Sequence, residues 1–179
     1  AARGEGQHLE FKRKATYPDK IVRAMVAFAN TNGGTLLLGV SDDGTLAGLK
    51  HPEGESHVIH EALKKCRPHL PVKEEFIPIG NGRTIVSYSI ADSERKPHYQ
   101  ITDNGKDFFV RVNDQSIKAS REVREIIKRS QKKRDIRFHY GEHEKFLMQY
   151  LDVHTAITLD KFIEVSGLKR FYGSRNMVL

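Results

Sequence analysis

Apolar and polar positions alternate in segments set apart by glycine, proline and asparagine. After Pro18 and Asp19, the residues Ile21, Val22, Met25, Phe28 and Ala29 recur at helical spacing, which predicts a core-facing helix. Gly33 and Gly34 follow where a left-handed C-cap is wanted, because a residue without Cβ takes positive φ at no steric cost. The run from Leu36 to Val40 has strand length, and Asp42, Asp43 and Gly44 read as an acidic turn at its exit. Upstream, Leu9 to Lys12 reads as a short extended segment.

A second helix is expected from Val58 to Leu63, ended by Pro68 and Pro71 with their restricted backbone. Strands then dominate. Phe76 to Ile79 and Thr84 to Ile90 flank Gly80-Asn81-Gly82, a hairpin signal, and Val86, Tyr88 and Ile90 alternate along the second. Asn104-Gly105 turns the chain again, Phe108 to Val112 adds a strand, and Ser120 caps a charged closing helix from Glu122 to Ile127. This order predicts an α+β fold, a mixed sheet with flanking helices, over residues 1–127.

The composition then shifts. Residues 128–141 hold Lys128, Arg129, Lys132, Lys133, Arg134 and Arg137 and read as a basic linker. Beyond it, residues 142–179 give one helix through Phe146, Leu147, Tyr150 and Leu151, a second capped by Thr158, and a third after Ser166-Gly167. Three short helices with a glycine turn match a helix-turn-helix, with Leu168 to Leu179 as the recognition helix. Gly173 weakens that helix, by about 1 kcal/mol relative to alanine. The apolar ending at Leu179 reads as a winged-helix module cut before its wing, and the opening Ala1-Ala2-Arg3 reads as a cut from something longer.

Charge and chemistry narrow the partners. With 30 basic and 23 acidic residues the 179-residue chain carries +7, which favours an anionic partner such as nucleic acid. Contacts are expected from Lys12, Lys14, Arg111, Lys132, Lys133, Arg134, Lys169, Arg170 and Arg175, with Asn176 also in reach of base edges. No apolar stretch has the length of a membrane span, no signal peptide is evident, and the lone Cys66 fits a reducing, cytoplasmic setting. His57, His60, Cys66 and His69 have superficially zinc-like spacing, but Pro68 interrupts the second pair and no second thiol exists. The spacing of His139 and His143 is interrupted by Gly141. A phosphate-binding Gly-x-x-x-x-Gly-Lys-Ser/Thr loop is absent, since Gly33-Gly34 precede a strand and Gly105-Lys106 is followed by Asp107.

Three separated segments together resemble the Schlafen/AlbA-type domain: Glu5 through Lys12, Ala27 through Gly44, and Phe109 through Ser116. The resemblance extends over about residues 5–130, and the tail from about residue 142 is similar to the winged helix-turn-helix attached to bacterial members. It implies a DNA-binding transcriptional regulator, with DNA favoured over RNA and no cofactor. The animal branch implies an alternative, a metal-dependent endoribonuclease, for which the matching carboxylates are Glu5, Glu10 and Asp42. Mg²⁺ or Mn²⁺ would suit such oxygen ligands and could activate water. Because the animal enzymes carry a duplicated arrangement, a single copy would call for a homodimer. Without a metal, Asp42 and Asp43 serve as turn residues and Glu10 as a strand-edge partner of nearby cations.

Overall fold

Helix α1 (Pro18–Asn30) begins with proline in its first turn, where the missing N–H is not needed, and is buried along most of its length. A computed structural model describes residues 4–131 and 141–177, which form two compact units, 1–119 and 120–179. In the first unit, strands β1 (Leu9–Lys12), β2 (Gly34–Leu38), β4 (Lys73–Gly80) and β5 (Arg83–Ile90) form a sheet in the order β1-β2-β5-β4. β1 runs parallel to β2, and the other two pairings are antiparallel, so the sheet is mixed as expected. Leu36 and Leu38 of β2 join α1, Val86 and Tyr88 in the main core, while Leu37 packs with Phe11, Val40 and Ile85 on a second cluster. Burial on both faces explains the unbroken apolar run.

Helix α2 (Pro52–Leu63) starts six residues before the expected Val58, because Pro52 opens it. Only part of it is apolar inward: Ser56, Ile59 and Ala62 are buried, while Val58 is exposed. Strands β3 (Cys66–Arg67), β6 (Tyr99–Thr102) and β7 (Gly105–Asp107) form a small sheet, and β8 (Phe109–Val112) pairs with β9 (Gln115–Lys118). The β4–β5 turn takes positive φ at Asn81 (52°) and Gly82 (65°), the geometry of a tight Asn-Gly hairpin. Helix α1 packs against β2, β6, β8, β9 and α2, so its surroundings bury Ala24, Val26 and Ala27 beyond the expected face.

The C-terminus of α1 is joined to the rest of the unit by polar side chains. Asn30, 4% exposed, donates from Nδ2 to the carbonyls of His98 (2.8 Å) and Phe109 (2.9 Å), and its Oδ1 accepts the His98 N–H (2.7 Å). The His98 ring spans Pro68 O (3.0 Å) and Ser93 Oγ (2.6 Å). Gly33 closes the helix with φ +71°, its N–H on Phe28 O at 2.8 Å. Gly34 has a different job: it belongs to β2, and a Cβ there would lie 2.5 Å from the Phe28 ring.

The second unit holds α3 (Arg121–Ser130), α4 (Glu142–Val153), α5 (Leu159–Ser166) and α6 (Arg170–Asn176). The expected caps are present: Ser120 Oγ accepts Val123 N–H and Thr158 Oγ1 accepts Lys161 N–H, both at 3.2 Å. Gly167 ends α5 in the left-handed region at φ 67°. Residues 128–130 are the end of α3, and residues 132–140 of the expected linker lie outside the described residues.

Gly33→Ala combines left-handed strain with a Cβ 2.8 Å from Asp92 N and Ile90 O. Urea unfolding should show a loss of about 2 kcal/mol, since strain and overpacking each cost roughly 1–3 kcal/mol; an unchanged midpoint would show that the turn relaxes. Burial holds the His98 pKa below its ordinary value. The unfolded chain therefore binds the extra proton first, and stability present at neutral pH should decline as pH falls below about 6.5, the unfolded value. Urea midpoints measured from neutral to mildly acid pH should fall more steeply for the native protein than for His98→Gln.

Candidate functional site

In β1 the side chains of Glu10 and Lys12 share one face, because residues two apart in a strand point the same way. Lys12 Nζ lies 2.6 Å from Glu10 Oε1, 2.6 Å from Phe11 O and 3.7 Å from Glu5 Oε1. Glu5 Oε1 also accepts Phe11 N–H at 2.8 Å, which folds the segment before β1 back onto the strand. The other Glu10 oxygen meets Arg111 Nη2 at 2.7 Å, with the Arg111 side chain 1% exposed and that of Glu10 12% exposed. Arg111 further donates to Gly6 O (3.2 Å from Nε, 2.9 Å from Nη2), to Leu9 O (3.4 Å) and to Ser116 Oγ (3.2 Å), and stacks over the Phe28 ring. The first and third sequence segments therefore meet at a buried ion pair, and the second joins through Thr31, whose Oγ1 accepts Arg111 N–H at 2.9 Å.

Glu5 and Glu10 are thus brought to one ammonium, but Asp42 does not join them. Among the described residues no group of three His, Cys, Asp or Glu side chains could hold a metal ion. Within one chain the two glutamates are matched by Lys12 and Arg111. The acidic turn separates its two aspartates. Asp42 is exposed, whereas Asp43 Oδ1 accepts Thr45 N–H at 2.9 Å, and this hydrogen bond holds its carboxyl below the ordinary range.

The expected nucleic-acid contacts have different placements. Arg111 is a buried organiser and not a surface cation; its place in the phosphate-contacting set is corrected by that burial. Lys12 is half-buried and ion-paired, and Lys14 is exposed. Lys132, Lys133 and Arg134 lie outside the described residues. In the second unit, Lys169 stands exposed at the N-cap position of α6 without a capping side-chain bond, Arg170 pairs with Asp160 at 2.6 Å across an exposed surface, and Arg175 is exposed. The expected recognition helix spans seven residues, Arg170–Asn176, and its interior Gly173 has a packing reason: a Cβ there would lie 2.9 Å from Ile163 of α5.

Sequence reasoning missed Arg13, Lys50 and Arg83. With Lys14, His51 and Glu55 they line a cleft of about 600 Å³ in the first unit. Only Arg13, beside Lys14, carried a local signal, since Lys50 and Arg83 arrive from a loop and a strand far along the chain. The zinc-like set is also resolved: His60 Nε2 pairs with Glu74 at 3.3 Å, and Cys66 is buried, its thiol pushed up to about 12 by loss of solvation.

A mixed sheet backed by a buried helix, with its N-terminal strand joined to β8 through a buried Glu–Arg pair, defines the class of domain. The model of the family described as Schlafen, AlbA_2 matches residues 5–120, and the chain belongs to that family. A solution NMR structure of the N-terminal domain of a protein related to the ATP-dependent DNA helicase RecG, from Nitrosomonas europaea, is similar at 19% identity. That likeness covers 76% of this chain and 90% of the other, with a TM-score of 0.46. No curated protein matches the chain significantly.

Removing one partner from a buried ion pair strands the other charge. Glu10→Ala should therefore cost about 3–5 kcal/mol in denaturant unfolding, and combining it with Arg111→Met should recover part of the loss. A loss no larger than that of an ordinary surface substitution would mean that the pair does not organise the domain.

Proposed function

We propose that this protein binds nucleic acid and acts as a bacterial, cytoplasmic transcriptional regulator that docks on duplex DNA through its C-terminal helices. The observation that carries this reading is the α5–Gly167–α6 pair, in which Gly173 lets α6 pack closely on α5 while Lys169 and Arg170 stay exposed. Together with α4 this pair supports the helix-turn-helix reading, as part of a winged helix. Membership of the Schlafen AlbA_2 family supports a nucleic-acid partner, as does the net charge of +7. A homodimer would match a two-fold DNA site.

The mechanism is electrostatic. Lysine and arginine neutralise phosphates and release condensed counterions, so affinity falls with salt. The Arg170–Asp160 pair is 71% and 80% exposed on its two side chains; such pairs contribute only about 0–1 kcal/mol, so Arg170 can exchange its carboxylate for a phosphate. If Lys169, Arg170 and Arg175 each meet one phosphate, the slope of log affinity against log salt is about −2.7.

Fluorescence anisotropy with labelled duplex DNA tests this reading. Lys169→Glu combined with Arg170→Glu should abolish most duplex binding and flatten the salt slope. Duplex affinity that survives charge reversal and is indifferent to salt would reject the proposal.

A further inference from the structure

The first unit carries a second cationic surface, formed by separate elements. Arg13 and Lys14 follow β1, Lys50 and His51 precede α2, and Arg83 opens β5; all five line the cleft of about 600 Å³. We infer that this cleft binds the phosphodiester backbone of a single-stranded nucleic acid, a site that rests on the nucleic-acid reading above and extends it to the Schlafen AlbA_2 unit.

Four cationic side chains, Arg13, Lys14, Lys50 and Arg83, outnumber the acids that line the cleft. Its one carboxylate, Glu55, is occupied on Oε2 by the Ala15 N–H at 2.6 Å. Arg13, Lys14 and Lys50 are exposed and make no hydrogen bond or ion pair among the described residues. Asp43 of the acidic turn attracts Arg13 through space without forming an ion pair. Three cations are therefore held together at a cost in mutual repulsion that a polyanion would relieve.

The walls are preorganised. Arg83 Nη1 donates to Ala47 O (3.3 Å) and Gly48 O (3.1 Å), fixing one end of the guanidinium. Gly48 has φ +62°, and a Cβ there would lie 2.7 Å from Arg83 Cβ and 2.8 Å from Ile79. Leu49 exchanges backbone hydrogen bonds with Thr84 at 2.8 and 3.1 Å, so the loop carrying Lys50 is tied to the strand carrying Arg83. The backbone that carries Lys50 and the Arg83 guanidinium are thereby held in place, which leaves mainly side-chain ordering to oppose binding.

The ligand class follows from what the cleft contains and lacks. A single strand is flexible and can bring successive phosphates to cations set on separate elements, whereas a duplex presents its phosphates at fixed spacing on a stiff rod. The lining has no Phe, Tyr or Trp to stack a base, so a lone nucleotide gains only charge. A polynucleotide places several phosphates in reach at once, which multiplies weak contacts.

The test uses the full chain and a labelled single-stranded oligonucleotide, with anisotropy followed across a salt series. The variant Arg13→Gln, Lys14→Gln, Lys50→Gln should lower low-salt affinity about tenfold or more and shrink the salt slope by about 2, at roughly 0.7 per lost phosphate contact. Lys169→Glu with Arg170→Glu should leave most of the single-strand slope in place, so failure of the cleft and failure of the duplex reading are told apart. In the native protein, bound oligonucleotide should protect Lys14 and Lys50 from acetylation, a measurement that needs no variant. Unchanged affinity and slope in the triple variant would overturn the inference. So would displacement of the oligonucleotide by a mononucleotide or inorganic phosphate at equal phosphate concentration, which would mark a small-anion site.

Discussion

A guanidinium removed from water must find its partners inside the protein, and in this chain that requirement at Arg111 dictates how distant segments meet. Leaving such a charge unpaired would cost several kcal/mol. Glu10 supplies the balancing carboxylate, while Gly6, Leu9 and Ser116 take further N–H groups. The residues before and within β1 are thereby positioned against β8, and the hydroxyl of Thr31 brings in the end of α1. Lys12 completes the local balance on the side nearer solvent, so two acids and two bases stand together.

The same economy of partners governs the end of α1. Asn30 satisfies one carbonyl before β6 and another in β8, and Gly33 turns the chain where no side chain would fit. The result is a stiff junction between the end of α1, the segment before β6 and β8. Charges that organise the interior and charges offered to a ligand are different residues: Arg111 and Lys12 belong to the first kind, and Arg13, Lys14 and Lys50 to the second.

Local grammar carried most of the fold. The spacing of Ile21 to Ala29, the Asn81-Gly82 turn, and the Ser120 and Thr158 caps each act within a few residues and were readable in order. The start of α2 was less legible, since Pro52 opens a first turn with few apolar residues to announce it. The cationic cleft was illegible because Lys50 and Arg83 reach it only after the chain has folded. Arg111 was misread for a related reason: an arginine in an alternating strand looks the same in sequence whether its face meets solvent or a buried glutamate. Glu5 and Glu10 both lie near Lys12 in space, and sequence could not show that this ammonium stands between them.

The organising arginine recognises its neighbours largely through main-chain oxygen atoms, at Gly6 and Leu9, and Glu5 likewise holds the Phe11 amide. Main-chain atoms are supplied by nearly any residue type. Gln7 and His8 add side-chain contacts of their own, to Arg111 O at 3.5 Å and Gly33 O at 3.0 Å, so the segment before β1 is held by main chain and side chains together. At Gly6 and Leu9 the junction asks only for a main-chain oxygen, whereas at Glu5, Glu10 and Arg111 it asks for the side chain itself.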